Sequence, residues 1–362
     1  MMKIGLPSFI LTAAFLLILS SPVLGQGNSC AFTLKEAQRL YQQGLIEKIP
    51  SLLSPCLQSG FSRQERQDAY KLILLCYLFD DNQKAADSAM LQFLKKYPEY
   101  EINPTDPKEF AYLFDTYKSL PILSIGVIGG ITIPQFFVKQ SNSTNNLSQT
   151  NRSYKKYGSS YQIGLQFNTY LAENYELGLE ALYTSASFRT IDNVKLFDSI
   201  NETRTYSETQ SRFEIPVFVR YNYPLTKTLI PYAFLGISPF YTMSASASVT
   251  RMYYTATATD NSSNFNVLPM RNRFGMSAFG GIGLKYHISR GFIFFDLKYQ
   301  MDFTSQLNQS YVDSQLNSNP TGSQLNKLIW TYNSLTDNFR FNKLSISLGY
   351  SFIFYHPKKK HQ

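Results

Sequence analysis

The stretch Lys343-Leu344-Ser345-Ile346-Ser347-Leu348-Gly349-Tyr350-Ser351-Phe352-Ile353-Phe354 puts Leu344, Ile346, Leu348, Tyr350, Phe352 and Phe354 at every second position. Lys343, Ser345, Ser347, Gly349 and Ser351 fill the places between. Side chains alternate across a strand, so one face of this segment is apolar and the other small and polar. The same period recurs upstream. Phe213, Ile215, Val217, Val219, Tyr221 and Tyr223 oppose Arg212, Glu214, Arg220 and Asn222. Tyr175, Leu177, Leu179, Ala181 and Tyr183 oppose Glu176, Gly178 and Glu180. Similar segments run near 122–138, 160–171, 229–248, 274–287 and 292–306, which makes eight candidate strands.

The connections between them alternate in length. Short turns fall at Ala172-Glu173-Asn174, Pro224–Thr228 and Ser289-Arg290-Gly291, and long Asn/Ser/Thr/Tyr-rich connections near 139–159, 190–208, 250–273 and 307–338. Long connections on one side and short ones on the other, with an even strand number, are the pattern of an outer-membrane barrel whose termini face the periplasm. A soluble barrel or sandwich shares the alternation. Against it stand an apolar face with few charges and an opposite face of Gly, Ser, Asn and Gln, which suits a narrow lumen.

The rest of the 362 residues reads differently. Residues from about 30 to 119 carry helical signals: Thr33 with Glu36 and Ser62 with Glu65 have capping-box spacing, and Asp106-Pro107 with Glu109 starts another helix. Ala69–Phe79 is apolar nearly all round, as a central helix should be. The last helix is expected to reach about Lys118, leaving Ser119-Leu120-Pro121 as a short joint to the barrel. Ahead of these helices, Lys3, the apolar run Phe9–Leu19 and Val23-Leu24-Gly25 have the order of a secretory signal ending near Gly25. Export allows disulfides. If the first two helices pair, Cys30 before the first and Cys56 at the end of the second arrive together, so a Cys30–Cys56 bond is expected, with Cys76 a buried thiol.

Composition removes other classes. With 28 Phe and 26 Tyr the chain is too aromatic to be disordered, and three Cys are too few for a disulfide scaffold. The formal charge of +9 reflects scarce acids and the Lys358-Lys359-Lys360 tail, and no basic stripe with interleaved aromatics points to nucleic acid.

Two resemblances add to this reading. Tyr70, Ile73, Tyr77, Ala86, Met90, Phe93 and Pro98 fall at the packing positions of a tetratricopeptide hairpin, with Leu74 departing where that pattern prefers Gly. Ser347, Gly349, Phe352 and Phe354 resemble the terminal signal read by the barrel insertion machinery, although a Lys-rich tail follows it here. The barrel as a whole resembles the PorT-like outer-membrane β-barrel family of Gram-negative bacteria. That resemblance implies the architecture and leaves the activity open.

The expectation is therefore an α+β multidomain chain. It comprises a signal peptide (1–25), a periplasmic helical hairpin domain (26–120), an eight-stranded antiparallel transmembrane barrel (121–357) and a basic tail (358–362). Alternation assigns Glu176, Glu180, Glu214, Asp296 and Asp302, with Arg212, Arg220, Lys285, Lys298 and Lys343, to the lumen. Five charges of each sign can pair across an interior that eight strands leave just wide enough for side chains. A plugged interior is expected, with a narrow channel as the alternative. Enzymatic chemistry has little support, since His287, His356 and His361 all map to the periplasmic end and no HExxH, GxSxG or CxxC occurs. No cofactor or metal site is expected. The partners expected are outer-membrane lipid, the insertion machinery, and an envelope or secretion protein bound through residues 30–118. The long loops offer a second binding surface.

Overall fold

The structure is a computed structural model that describes residues 27–140, 149–156, 159–172, 174–196, 199–226, 228–253, 259–261, 264–318, 323–332, 334 and 337–360. The expected leader and His361 lie outside the described residues. The chain divides into two compact units, residues 1–119 with 357–362, and 120–356.

The first unit holds helices α1 (Gly27–Gln42), α2 (Ile49–Gln58), α3 (Arg63–Phe79), α4 (Gln83–Lys96) and α5 (Lys108–Asp115). Ser62 and Glu65 form the reciprocal capping box at the start of α3. Asn82 caps α4 through Ala85. Ala69, Tyr70 and every residue from Leu72 to Cys76 are buried, so α3 is the axis of the unit's core.

Three expectations for this unit are corrected. α1 begins at Gly27, so Thr33 is interior and Cys30 lies within the helix. Glu36 turns instead to Arg39, one helical turn on at 2.5 Å. α5 ends at Asp115 and the first strand begins at Tyr117, so Ser119-Leu120-Pro121 is strand and not a joint. Pro121 explains this, because a proline drives the residue before it out of the α region. The basic tail is no separate segment either: the Lys360 amide donates to the Thr116 carbonyl at 2.8 Å, and Lys359 pairs with Asp87 at 2.7 Å.

The second unit is built from strands, the first and last of which have their outer ends in the first unit: β1 (Tyr117–Gln140), β2 (Gln149–Lys156), β3 (Tyr161–Tyr170), β4 (Tyr175–Leu196), β5 (Ser199–Glu214), β6 (Val217–Asn222), β7 (Leu229–Tyr253), β8 (Thr259–Asn261), β9 (Phe265–Asn266), β10 (Phe274–Ile288), β11 (Gly291–Asp302) and β12 (Asn338–Lys359). Pairing runs β1–β3–β4–β5–β7–β10–β11–β12 and back to β1, closing a ring. β5 and β6 both pair with β4 and β7, so they are one crossing broken at Ile215-Pro216. β2 and β3 likewise share β4. The ring therefore has eight crossings, and a closed ring leaves no edge to aggregate.

One rim, where β1 enters and β12 leaves, has tight turns. Ile288 pairs with Gly291 across Ser289-Arg290, with Ser289 at φ 52°. Outward-facing Tyr175, Tyr221 and Tyr286 ring this near rim, and Tyr161, Tyr183, Phe213 and Phe274 ring the other. On β4 the two aromatics are eight residues apart, about 26 Å of strand. Leu177 and Leu179 lie between them. This is an apolar band with aromatic girdles, the surface a membrane barrel presents to lipid.

The long connections on the far side are not simple loops. Strands β4 and β5 stay paired through Asp192 and Arg204 into the stretch expected to be irregular, and β2 pairs with the same part of β4. Residues Gln309–Ser318 form a helix and Lys327–Thr331 a helical turn. The apolar-versus-polar alternation stops near the far girdle because neither face must meet lipid beyond it. Thr, Tyr and Ile keep the segment extended there.

Inside the ring, lumen-facing glycines make room for rings from neighbouring strands. A Cβ on Gly178 would overlap the Phe218 ring, and one on Gly349 would overlap Phe294. Gly178→Val is therefore expected to lower the folded fraction of the barrel at least severalfold, read as loss of heat-modifiable gel mobility. The outward-facing Leu177→Val is expected to leave that mobility unchanged.

Candidate functional site

All ten charges assigned to the lumen face inward, and none is more than 3% exposed. They form levels. Nearest the near rim, Glu176 takes the Lys285 ammonium at 2.5 Å and the Arg220 guanidinium at 3.0 Å, with Asn222 donating at 2.8 Å. Arg220 stacks 4.4 Å over Tyr232, whose hydroxyl donates to Asp296. Above them Lys298 reaches Glu180 at 3.3 Å, and Gln166 donates to the same carboxylate. Higher still, Glu214 pairs with Lys343 and accepts from Gln300 and Thr184. Arg212 then pairs with Asp302 at 2.7 Å and lies between the Phe240 and Phe341 rings. Nine of the ten charges thus sit in ion pairs, and Asp296 is held by a tyrosine. Desolvated pairs persist where geometry and extra hydrogen bonds offset the loss of water. Glu176 and Glu214 accept such extra bonds from Asn222, Gln300 and Thr184, while Arg212 Nε, Arg220 Nε and one Asp302 oxygen are buried without one.

One further level escaped the sequence reading. Arg271 and Glu208 are fully buried and joined at 2.5 Å, with Tyr206 donating to the same carboxylate. Glu208 lay in a segment read as loop, and Arg271 belongs to no strand. Only the continued even-number register of Glu208 with Gln210, Arg212 and Glu214 could have flagged the glutamate.

Beyond that level the interior turns apolar. Phe188, Phe339 and Phe341 from the strands meet Phe265, Val267, Met270, Leu307, Val312, Leu325 and Leu328 from the far-side connections in one buried cluster. The far end of the barrel therefore has a core of its own. Polar levels thus lie below and an apolar core above along the described interior.

The helical unit supplies the second candidate surface. Ala86, Met90 and Phe93 are wholly buried at the α3–α4 contact, with Tyr70 and Ile73 nearly so and Phe93 edge-on to Tyr70 at 6.0 Å. Tyr70, Ile73 and Tyr77 also line a shallow groove of about 260 Å³ with Pro50 and Leu57. Pro98 follows the end of α4 by two residues. Cys30 and Cys56 are disulfide-bonded with Cα atoms 5.6 Å apart, and Cys76 is a free, buried thiol.

Asp106 does not cap α5. It is turned inward, where Lys71 donates at 2.7 Å, Tyr100 at 2.7 Å and the Asn103 amide at 2.8 Å. Burial alone would raise its carboxyl, but the Lys71 ammonium and these hydrogen bonds outweigh burial and hold it below the ordinary aspartate value. A depressed carboxyl stabilises the fold above its unfolded pKa, near 4, and loses that contribution as pH falls toward the folded value. Asp106→Asn is expected to destabilise the helical unit by about 2–3 kcal/mol at pH 7. The difference from the unsubstituted chain should shrink below about pH 4, as followed by helical circular dichroism.

At the other sites, Ser347 and Gly349 face the lumen while Phe352 and Phe354 face outward, their rings 5.1 Å apart. The His287 amide donates to the Thr228 carbonyl, extending the β10–β7 ladder by one bond at the near rim, and its ring packs on Phe292. No cluster of metal-ligating side chains occurs among the described residues.

Residues 122–308, just over half of the chain, match the family described as outer membrane protein beta-barrel domain. No curated protein sequence matches the chain. Among solved structures, similarity is found to OprG from Pseudomonas aeruginosa at 14% identity, covering 66% of this chain and 98% of that one with a TM-score of 0.29. Ail of Yersinia pestis matches at 10% identity, covering 64% and 100% with a TM-score of 0.23. The outer membrane protease OmpT from Escherichia coli matches at 10% identity, covering 65% and 95% with a TM-score of 0.28.

Proposed function

The chain belongs to the outer membrane protein β-barrel domain family, and from that premise we propose that it is a closed, non-enzymatic barrel serving as the membrane anchor of a helical adaptor. In this reading the near rim and the helices face the periplasm and the far-side structure faces outward. The helical unit is a TPR-like hairpin domain that recruits a component of an envelope or secretion assembly, in the manner the PorT-like resemblance suggests. The observation that carries the reading is the layering inside the barrel: nine lumen charges held in ion pairs beneath an apolar core point to the accessible surfaces as its means of action. Conduction would require those pairs to separate in a desolvated space, at several kcal/mol for each ion.

Crosslinking in intact cells, comparing the full chain with one lacking residues 30–118, tests the adaptor role. Loss of the crosslinked partners on deletion is the expected result; full retention would remove the adaptor. Planar-bilayer recording tests closure, and steady, reproducible conductance from the purified chain would establish the channel instead. A second reading, binding through the far side, is favoured by one observation: that side carries paired strands and a hydrophobic core, hence a surface of fixed shape. Retention of every partner on helical deletion, with loss on removal of residues 309–331, would select it.

A further inference from the structure

The chain passes between the two units twice, each time as a strand. β1 begins at Tyr117 and β12 ends at Lys359, and both of these ends belong to the helical unit. The same two strands pair with each other to close the ring. They keep one register throughout: Gly130 lies against Ile346, Gly126 against Tyr350, and the Lys360 amide donates to the Thr116 carbonyl at 2.8 Å. The helical unit therefore contains the outer end of the ring's closing pair.

That pair is the one least helped by the chain itself. Every other pairing of the ring joins crossings that follow one another in sequence, whereas β1 and β12 are its first and last. The entropy lost on closing a loop grows with its length, and no short turn brings these two strands together. Their lumen side adds little packing, since Gly126 and Gly130 meet Ser351 and Ser347.

At the outer end, α4 and α5 supply what the strands lack. Asp87 of α4 accepts from the Tyr117 hydroxyl at 2.6 Å and from the Lys359 ammonium at 2.7 Å, so one carboxylate holds the first residue of β1 and the last of β12. Lys359 also lies 5.9 Å over the Tyr117 ring, which is part of the helical core. The Lys360 ammonium donates to the Asp115 carbonyl at 2.6 Å, satisfying the C-terminal end of α5 from a position 245 residues along the chain. Burial alone would raise the Asp87 carboxyl, but hydrogen bonds from Lys359, Tyr117 and Gln83 hold it below the ordinary aspartate value. It is therefore ionised at neutral pH, where a charge-assisted bond to each strand is strongest. We propose that the helical unit is a clasp on the barrel's closing seam, with Asp87 tying the ends of β1 and β12 together so that the seam does not fray from the near rim.

Hydrogen exchange of the full chain in lipid nanodiscs, read by mass spectrometry, tests the clasp. Asp87→Ala is expected to speed exchange of residues 122–126 on β1 and 350–354 on β12 by about tenfold, because a locally opening seam exchanges in proportion to its open fraction. The effect should fade toward Gly130 and Ile346, and the β3–β4 and β10–β11 ladders should not change. A chain ending at Lys358 loses the tail's ties without touching α4, keeps Phe352 and Phe354, and should match Asp87→Ala. It decides the question if the alanine variant loosens the helices. Unchanged seam exchange in the shortened chain, or an equal rise in every ladder, would overturn the clasp. None of these outcomes touches the adaptor, which the crosslinking experiment decides separately.

Discussion

Glu214→Ala is expected to destabilise the barrel by about 3–5 kcal/mol, because it strands a buried ammonium. The carboxylate is 1% exposed and holds Lys343, Gln300 and Thr184 from three other strands. Its removal leaves Lys343 desolvated and without its ion-pair partner. The informative comparison is the double variant Glu214→Ala with Lys343→Met, which removes both charges and fills part of the space. Replacing a buried pair by apolar groups is often close to neutral, so the double variant should recover most of the loss. Urea unfolding from lipid vesicles, read by gel mobility, measures both. If the single and double variants fell equally, the lysine would be hydrated without its partner and the interior would hold a water path. That result would return the channel to first place among the readings.

Eight crossings, the faces of the strands and the ten lumen charges were legible because one physical demand shapes them all. Between the girdles every outward side chain meets lipid and every inward one meets a narrow lumen. Period two therefore persists in Leu177, Leu179 and Ala181 against Glu176, Gly178 and Glu180. Where that demand lapses, the sequence becomes ambiguous. Thr203, Thr205 and Ser207 on β5 look like loop residues in composition, yet they pair with Met252, Thr250 and Ser248 of β7. Glu208 and Arg271 went unseen for the same reason, the second because its place inside the barrel comes from a connection with no periodic pattern. The helical unit shows the converse case. Ser62 and Glu65 announce a helix start locally, whereas Thr33 and Glu36 have the same spacing inside a helix that begins at Gly27. A cap motif fixes a terminus only when the preceding residues leave the helix, and Gly27-Asn28-Ser29-Cys30 do not. The sequence sets the basic tail apart from the helical domain because its partners, Asp87 and Thr116, are distant in sequence and carry no pattern of their own.

Replacing Cys30 and Cys56 together by serine is expected to lower the stability of the helical unit by about 3.5 kcal/mol while leaving the barrel's gel mobility intact. The two cysteines are 26 residues apart, and closing a loop of that length removes about this much chain entropy from the unfolded state. The described helices of the unit share one core, and a small domain has little stability in reserve, so a loss of that size should lower its melting temperature by roughly 15 °C or more. Cys76 supplies the internal control. Burial pushes its thiol up to about 11, so at pH 8 few molecules carry the thiolate that attacks a disulfide. In the oxidised chain Cys76 should therefore resist alkylation and leave the bond unshuffled until the helices unfold. In the double serine variant its alkylation should accelerate by about a hundredfold or more, because opening of the core governs access to the thiol. Unchanged alkylation would mean that the core around α3 holds without the bond, and that the disulfide secures only the α1–α2 pair at its edge.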